Sequence, residues 1–520
     1  MKPHISIFND VIGPVMRGPS SSHTAAGWRV ANMSIQILDD PLKSATIEFD
    51  RDGQWATNYE EQGTVLGMNG GLLDIDMADD QMKNAEQTAE QRGISIHYSV
   101  SSFENNHPNS MLVSLSGQSG RSVQLLAASL GGGSFILQTV DGFSVSMNGD
   151  FHIVLLWAHG DMLNSLQDLI PPQSKLIEQK LLDKYLYIFE SAKTFSKTFV
   201  DTINTLPLVD KISVVAPIMP IVSGSEISLG YSDIASLLSY SKSNQLSLGE
   251  LGLMYEQHRS GLSKDILLLK MEGLIDIMEG SIRIGLAGTN HDDRILHQQS
   301  HMIGKAEKAG KILQGSIVNT IVKYVVAIME SKSALEVVVA NPTAGSCGTV
   351  AAAMTAVAEE LQASKEDKIM AYYATGLAGA YFAMSTGFSA EEHGCQVETG
   401  ASAGMTAAGI VDLFGGTAEQ ALGAASIAIQ NTIGLVCDPI ADRVEAPCLG
   451  KNTSAAVNAL SSATMASSGF AYLIPLDQVL ETVSRVSAQM PSCHKCTGTG
   501  GLAITPAALE LKKELQANKD

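Results

Sequence analysis

Cys395, Cys437 and Cys448 stand in three unusual local sequences: Gly394-Cys395-Gln396-Val397-Glu398-Thr399-Gly400, Cys437-Asp438-Pro439-Ile440 and Ala446-Pro447-Cys448. Three thiolates without a fourth are what a [4Fe–4S] cluster needs if one iron is to stay open to substrate and act as a Lewis acid. The 41 and 10 residues between these cysteines are unlike the closely spaced run of a ferredoxin, so the fold must assemble such a set. Buried free cysteine is also ordinary packing, and spacing alone leaves both readings open. Pro439 and Pro447 place two of the three at turns or helix ends, where a side chain can reach a bound group.

Three further motifs carry polar chemistry. Gly18-Pro19-Ser20-Ser21-Ser22-His23-Thr24 crowds four hydroxyls and an imidazole into one turn ahead of an expected helix, Ala25–Leu38. A helix N-cap needs one hydroxyl; four beside a histidine can hold a small anion, with His23 as acid or base. Asn341-Pro342-Thr343-Ala344-Gly345-Ser346-Cys347-Gly348-Thr349 follows an apolar run and opens a helix expected from Val350. Its amides and hydroxyls suit a carboxylate at a helix N-terminus, or equally a tight turn between buried elements. Cys347 reads as packing. Cys493-His494-Lys495-Cys496 has the spacing of a zinc or redox pair, but a zinc site needs a second pair. A tail reaching into an active site, a redox couple and two ordinary thiols remain open.

The elements that must position these residues fall into three stretches. Residues 1–150 mix half-buried strands, such as Ala45–Asp50 and Ile94–Val100, with Gly-rich turns at Gly131–Gly133 and Asp141-Gly142, and read as an α/β domain. In residues 151–222, the strands His152–Trp157, Lys184–Glu190 and Val209–Ile218 and a helix from about Ser191 to Thr205 suggest a small β-α-β module. Residues 223–520 read as mostly helical. Leu246–Glu279 and Lys305–Ser333 carry apolar residues at i, i+3, i+4 spacing, and Ala351–Ala363 and Ala401–Leu413 are Ala-rich. The expected class is α+β.

Composition narrows the function. A chain of 520 residues with 45% hydrophobic residues builds a large core, and a net charge of −20 argues against nucleic-acid binding. The start Met1-Lys2-Pro3-His4-Ile5 lacks the apolar run of a signal peptide. Thr417–Val436 approaches a membrane span, but Glu419, Gln420, Gln430 and Asn431 interrupt it. The expectation is a cytoplasmic protein without a membrane partner, its six cysteines reduced. An Ala-rich helical part is also compatible with a homodimer.

Together these motifs resemble the iron–sulfur-dependent L-serine dehydratase (L-serine ammonia-lyase) family along nearly the whole chain. Residues 1–150 look like its β part, through the GPSSSHT signature, Gly70-Gly71-Leu72-Leu73-Asp74, His107-Pro108-Asn109-Ser110 and Gly131-Gly132-Gly133. Residues from about 225 to 510 look like its α part, through Asn341–Thr349, Gly394–Gly409, Cys437–Pro439, Pro447–Asn452 and Gly500-Gly501-Leu502-Ala503. The module between them corresponds to a degenerate ACT-like segment. The resemblance implies that Cys395, Cys437 and Cys448 ligate a [4Fe–4S] cluster with one open iron, and that His23 transfers a proton. It implies that Ser20, Ser21, Ser22, Thr24, Asn341 and Thr343 line the site of an amino-acid substrate. L-serine would give pyruvate and ammonia without pyridoxal phosphate. A related amino acid such as threonine or cysteine, or a non-catalytic amino-acid sensor, are the alternatives.

Three departures stand out. Gln62 of Glu61-Gln62-Gly63-Thr64-Val65 fills a position where many members carry histidine, and glutamine cannot exchange a proton near neutral pH. The family's Gly-Gly-Asp loop is not recognisable in Gly288–Ser300, where His291 and His297 stand, with His301 just beyond. Lys495-Cys496-Thr497 replaces a basic residue followed by Glu-Thr. This puts Cys496, with Cys493, in a position for tail contact with the open iron.

Overall fold

Strand Leu42–Asp50 organises the first part of the chain. Its side chains alternate between core and surface, as a half-buried strand requires. It pairs in parallel with Ser95–Ser101 and antiparallel with Ser110–Gly117. A computed structural model describes residues 5–105, 107–223, 231 and 233–517, so Met1–His4 of the sequence reading lie outside it. Among the described residues, Ser122–Gly131, Ser134–Val140 and Phe143–Met147 continue this sheet to six strands. Helix Ala26–Leu38 lies on it, burying Val30, Met33 and Ile37 with Ile47, Phe49 and Leu125.

The next stretch forms a four-stranded antiparallel sheet in the order Val209–Val215, His152–Ala158, Lys184–Ser191, Ser174–Leu181. With helices Leu163–Gln167 and Lys197–Asn204 this is β-α-β-β-α-β, the ferredoxin-like arrangement. Three elements differ from expectation, the short helix Leu163–Gln167 among them. The strand Ser174–Leu181 was not anticipated: it is an edge strand without a fully buried residue, so it shows no clear alternation. The second helix starts at Lys197 because Ser196 caps it, its Oγ accepting the Phe199 N–H. The unbroken apolar run at 153–157 has a simple cause. Ile153, Leu155 and Trp157 face the first sheet's core, while Val154 and Leu156 face the module's own helices.

The rest is helical. Helix Thr399–Leu413 is its axis, buried on every side up to Val411 by helices Lys365–Ser385, Ala418–Gln430, Cys448–Ser467 and Cys347–Glu360. Its small residues permit this approach: a Cβ on Gly409 would fall 2.2 Å from Thr375 Oγ1. The expected long helices are each two. Leu248–Ser260 ends at Gly261 (φ +72°), and Ser263 caps Lys264–Ala287; Ser300–Lys308 and Ile317–Ser333 are likewise separate. The helix expected from Val350 begins three residues earlier, at Cys347. The α+β class is as expected. No helix of the described residues is long and apolar enough to cross a membrane.

Residues near the start of the chain belong to the helical core. Ile7, Phe8, Val11 and Ile12 are buried in it, with Ile7 and Val11 seated on Gly376 and Gly379 of helix Lys365–Ser385. Strand Val15–Met16 pairs with Val338–Val339. The Gly13 N–H donates to the Ala340 carbonyl, and the Ala340 N–H to that of Pro14. This seam carries the first motif turn up to the second.

Candidate active site and cysteine cluster

The turn Ser21–Ala25 is fully buried and leads directly into helix Ala26–Leu38. Its hydroxyls do not cap that helix. Ser20 Oγ and Ser22 Oγ lie 3.3 and 3.1 Å from His23 Nδ1, and Ser22 donates to Glu391 Oε1 at 2.6 Å. Glu391 itself stands 3.6 Å from Nδ1. On the other side of the ring, Nε2 is 3.0 Å from Asn58 Oδ1, while the Asn58 amide nitrogen donates to the Cys496 carbonyl. An acceptor at Asn58 Oδ1 assigns the imidazole proton to Nε2 and leaves Nδ1 as the basic atom. Burial lowers the pKa of His23 below the ordinary 6.5, opposed by the charge of Glu391 and the Asn58 hydrogen bond.

The second motif meets this turn directly. Ser21 Oγ accepts the Ala344 N–H at 3.1 Å, and Thr24 donates to the Gln62 carbonyl. Thr343 makes a capping box with Ser346 and also hydrogen-bonds Glu398. Asn341 is fully buried, its amide nitrogen donating to the Val339 carbonyl and its Oδ1 left without a partner. Asn452 ties the 341–349 turn to the third cysteine motif, donating to the carbonyls of Gly345 and Cys448.

The sulfur atoms gather beside Glu398. The ligating atoms of Cys395, Glu398 and Cys437 lie within 4.8 Å of one another, and the Cys395 thiol is 3.9 Å from Glu398 Oε2. Cys437 hydrogen-bonds both Cys395 and Cys496. Cys448 begins helix Cys448–Ser467, just after Pro447, and its charge couples to that of Cys395. Cys496 was thus brought to the cysteine group by packing: its N–H donates to the Cys437 carbonyl, and Gln62 Nε2 reaches its sulfur at 3.8 Å. Cys493 is half-buried, outside the close-packed group formed by Ala390, Cys395, Cys437 and Cys496. Cys347 is buried in the main helical core, and burial pushes its thiol up to about 11.

Electrostatics suit sulfur ligation. The hydrogen bonds from Cys395 and Cys496, then burial, hold the Cys437 thiol well above its ordinary value; burial, then Cys395, pushes Cys448 up to about 12. Left unbound, Cys437 and Cys448 stay protonated, so ligation by them must displace protons. A cation stands ready: Lys451 Nζ lies 3.7 Å from Cys395 Sγ and donates to Asp438 and the Val436 carbonyl. Burial disfavours its charge, but Cys395, Cys437 and the Asp438 hydrogen bond outweigh that and raise its pKa. Burial, then the charge of Glu391, pushes Glu398 up to about 7. Clustered soft sulfur donors beside a cation fit iron–sulfur or zinc rather than magnesium or calcium.

Glu391, Asn58 and Lys451 were not singled out from the sequence. Glu391 lies four residues before Cys395, and Lys451 lies one turn after Cys448. Glu391 and Asn58 fall outside the quoted motifs, whereas Lys451 lies inside Pro447–Asn452 without having been given a role.

With this geometry in place, comparison with known proteins is specific. The family model described as serine dehydratase alpha chain matches residues 243–503. A probable L-serine dehydratase alpha chain of Bacillus subtilis is 33% identical over 285 residues, covering 55% of this chain and 95% of its own length. One of Latilactobacillus sakei is 35% identical over 194 residues, 37% of this chain and 93% of its own. L-serine dehydratase 1 of Escherichia coli is 35% identical over 191 residues, 36% of this chain and 42% of its own. Cys395, Cys437, Cys448 and Cys496 all lie within the matched span. The chain belongs to the serine dehydratase alpha chain family and is a lyase.

Proposed function

We propose that this lyase is an iron–sulfur-dependent L-serine ammonia-lyase that converts L-serine to pyruvate and ammonia. One observation carries the reading: a continuous run of contacts joins the two hydroxyl-rich turns to the sulfur atoms. It passes from Ser21 to Ala344, from Thr343 to Glu398 and from Glu398 to Cys395. Substrate-binding hydroxyls and soft metal ligands thus share one buried site.

Cys395, Cys437 and Cys448 would hold a [4Fe–4S] cluster, with Lys451 offsetting its negative charge, and Cys496 is the tail sulfur placed to meet the same group. When bound, the cluster supplies a Lewis-acidic iron that makes the serine hydroxyl a better leaving group. Ser20, Ser21, Ser22 and Thr24, with Asn341 and Thr343, line and shape the substrate site. His23 accepts the α-proton at Nδ1, the atom left basic by the Nε2–H bond to Asn58. Glu391 stabilises the imidazolium so formed and holds Ser22 against it. Departure of the hydroxyl leaves aminoacrylate, which tautomerises to the imine and hydrolyses to pyruvate and ammonia. Gln62 cannot carry a proton, which concentrates that role on His23.

We assign residues 1–150 to a β-type α/β domain and 151–222 to an ACT-like module. Residues 223–520 form the cluster-binding domain. The boundary before it adjoins residues 224–230, outside the described residues. Gln62 also favours a second reading, a lyase for threonine or cysteine. Anaerobic purification with iron, sulfide and visible-spectrum analysis, followed by a pyruvate assay with L-serine and a panel with threonine and cysteine, tests both. A full cluster with pyruvate formation supports the first reading. A full cluster with turnover of another substrate alone replaces it with the second, and absence of iron overturns both.

A further inference from the structure

Lys332, near the C-terminal end of helix Ile317–Ser333, is fully buried. Its ammonium donates to the Val444 carbonyl and forms no ion pair among the described residues. A buried ammonium without a carboxylate is costly, and proteins keep one where a partner arrives. Beside it lies a cavity of about 170 Å³, bounded by Lys332, Ser333, Pro19, Gly63, His291 and Arg443. Ser333 Oγ, also buried, has no hydrogen-bond partner. The cavity therefore offers a cation and a hydroxyl with unused bonding capacity.

The neighbouring charges sharpen this. Arg443 is already engaged by Asp293 and Glu445, and Glu445 also accepts the N–H groups of Ile295 and Leu296. The cysteines have their cation in Lys451. The cavity adjoins the candidate site: a Cβ on Gly63, in its wall, would fall 2.5 Å from Thr24 Oγ1, and one on Gly345 would fall 3.1 Å from Val444, whose carbonyl Lys332 meets, and 3.2 Å from Glu398. Glu60 and Glu61 stand on its wall, with Glu60 exposed to solvent. Asp293 and the buried Glu445 also line the cavity, but both are paired with Arg443, so Lys332 is the buried cation there without a carboxylate partner among the described residues, which matches a zwitterion that enters carboxylate first.

We propose that Lys332, with Ser333, anchors the α-carboxylate of the amino-acid substrate in this cavity, an inference that rests on the reading of the chain as an amino-acid lyase. The test uses the anaerobically purified, cluster-loaded protein and two probes that cannot be dehydrated: L-alanine, and L-alaninamide, which lacks the carboxylate. Binding is read by calorimetry, with iron and sulfide content measured in parallel. Wild type is expected to bind L-alanine more tightly than L-alaninamide. Lys332→Met should weaken L-alanine roughly 10- to 100-fold, the range for a hydrogen bond to a charged group, with little change for L-alaninamide. Lys332→Arg should keep part of the affinity. If Lys332→Met fails to fold, Lys332→Gln and Lys332→Arg decide by the same readout.

Unchanged L-alanine affinity in a folded variant overturns the proposal, as does failure of the wild type to bind L-alanine. Loss of iron and sulfide in Lys332→Met would assign the charge to the cysteines instead. A Lys332-dependent affinity for L-alanine without pyruvate from L-serine leaves the anchor standing and sinks only the substrate.

Discussion

Replacing Glu391 with glutamine tests the core of the proposed proton transfer. The substitution keeps size and one carbonyl acceptor but removes the charge 3.6 Å from His23 Nδ1 and the carboxylate that accepts Ser22 at 2.6 Å. Two full charges at that distance interact by about 4–5 kcal/mol at an effective dielectric near 20. This is a ceiling, because glutamine still accepts a hydrogen bond. A charge-assisted hydrogen bond contributes about 1.5–3 kcal/mol, so kcat should fall roughly 10- to 100-fold. The sign of the pH effect follows from the charge. Glu391 favours the protonated imidazole, so without it His23 releases its proton at lower pH, and its limb of the kcat profile moves to lower pH. The assay is pyruvate formation from L-serine across pH under anaerobic conditions, with iron content and thermal unfolding as controls. A folded, iron-loaded Glu391→Gln variant with wild-type kcat and an unmoved profile would falsify this role.

Other outcomes follow from the same structure. Cys395→Ser, Cys437→Ser and Cys448→Ser should each reduce iron and visible absorption per chain, whereas Cys347→Ala should retain both and lose about 1 kcal/mol of stability from a small cavity; equal iron loss in all four would break the assignment. Gly67→Ala would set a Cβ 2.0 Å from the Thr24 carbonyl oxygen, an overpacking that costs about 1–3 kcal/mol or more and should lower the midpoint of urea unfolding. His23 is buried with its pKa below 6.5. The unfolded chain therefore binds that proton first, and stability should fall as pH drops below 6.5 toward the folded-state value. Urea unfolding at about pH 7.5 and about pH 5.5 should show a smaller pH-dependent loss in His23→Gln than in wild type; equal losses would exclude His23 as the source.

The motif turns were legible because their chemistry is crowded into short segments: Ser20 to Thr24, Asn341 to Thr349, and the residues beside Cys395 and Cys448. Their neighbours were not. Asn58 and Glu391 are separated by hundreds of residues and meet at His23 only through packing, and no local pattern distinguishes a carboxylate that meets a serine from one that meets water. Helix positions followed apolar periodicity, but where one helix became two the break came from Gly261 and the cap at Ser263, within a pattern that otherwise ran on. The edge strand Ser174–Leu181 lacked the alternation that betrays a buried strand.

The docking of Ile7 and Val11 onto Gly376 and Gly379 also sets an order of events during synthesis. About 370 residues separate the apolar turn from its seat, so at 5–20 residues per second it leaves the ribosome roughly 20–70 s before the groove exists. During that interval the growing chain carries an unsatisfied apolar segment, the kind of surface that chaperones capture. A C-terminal fragment made alone would carry the complementary defect, a glycine-lined groove open to whatever hydrophobic peptide arrives first.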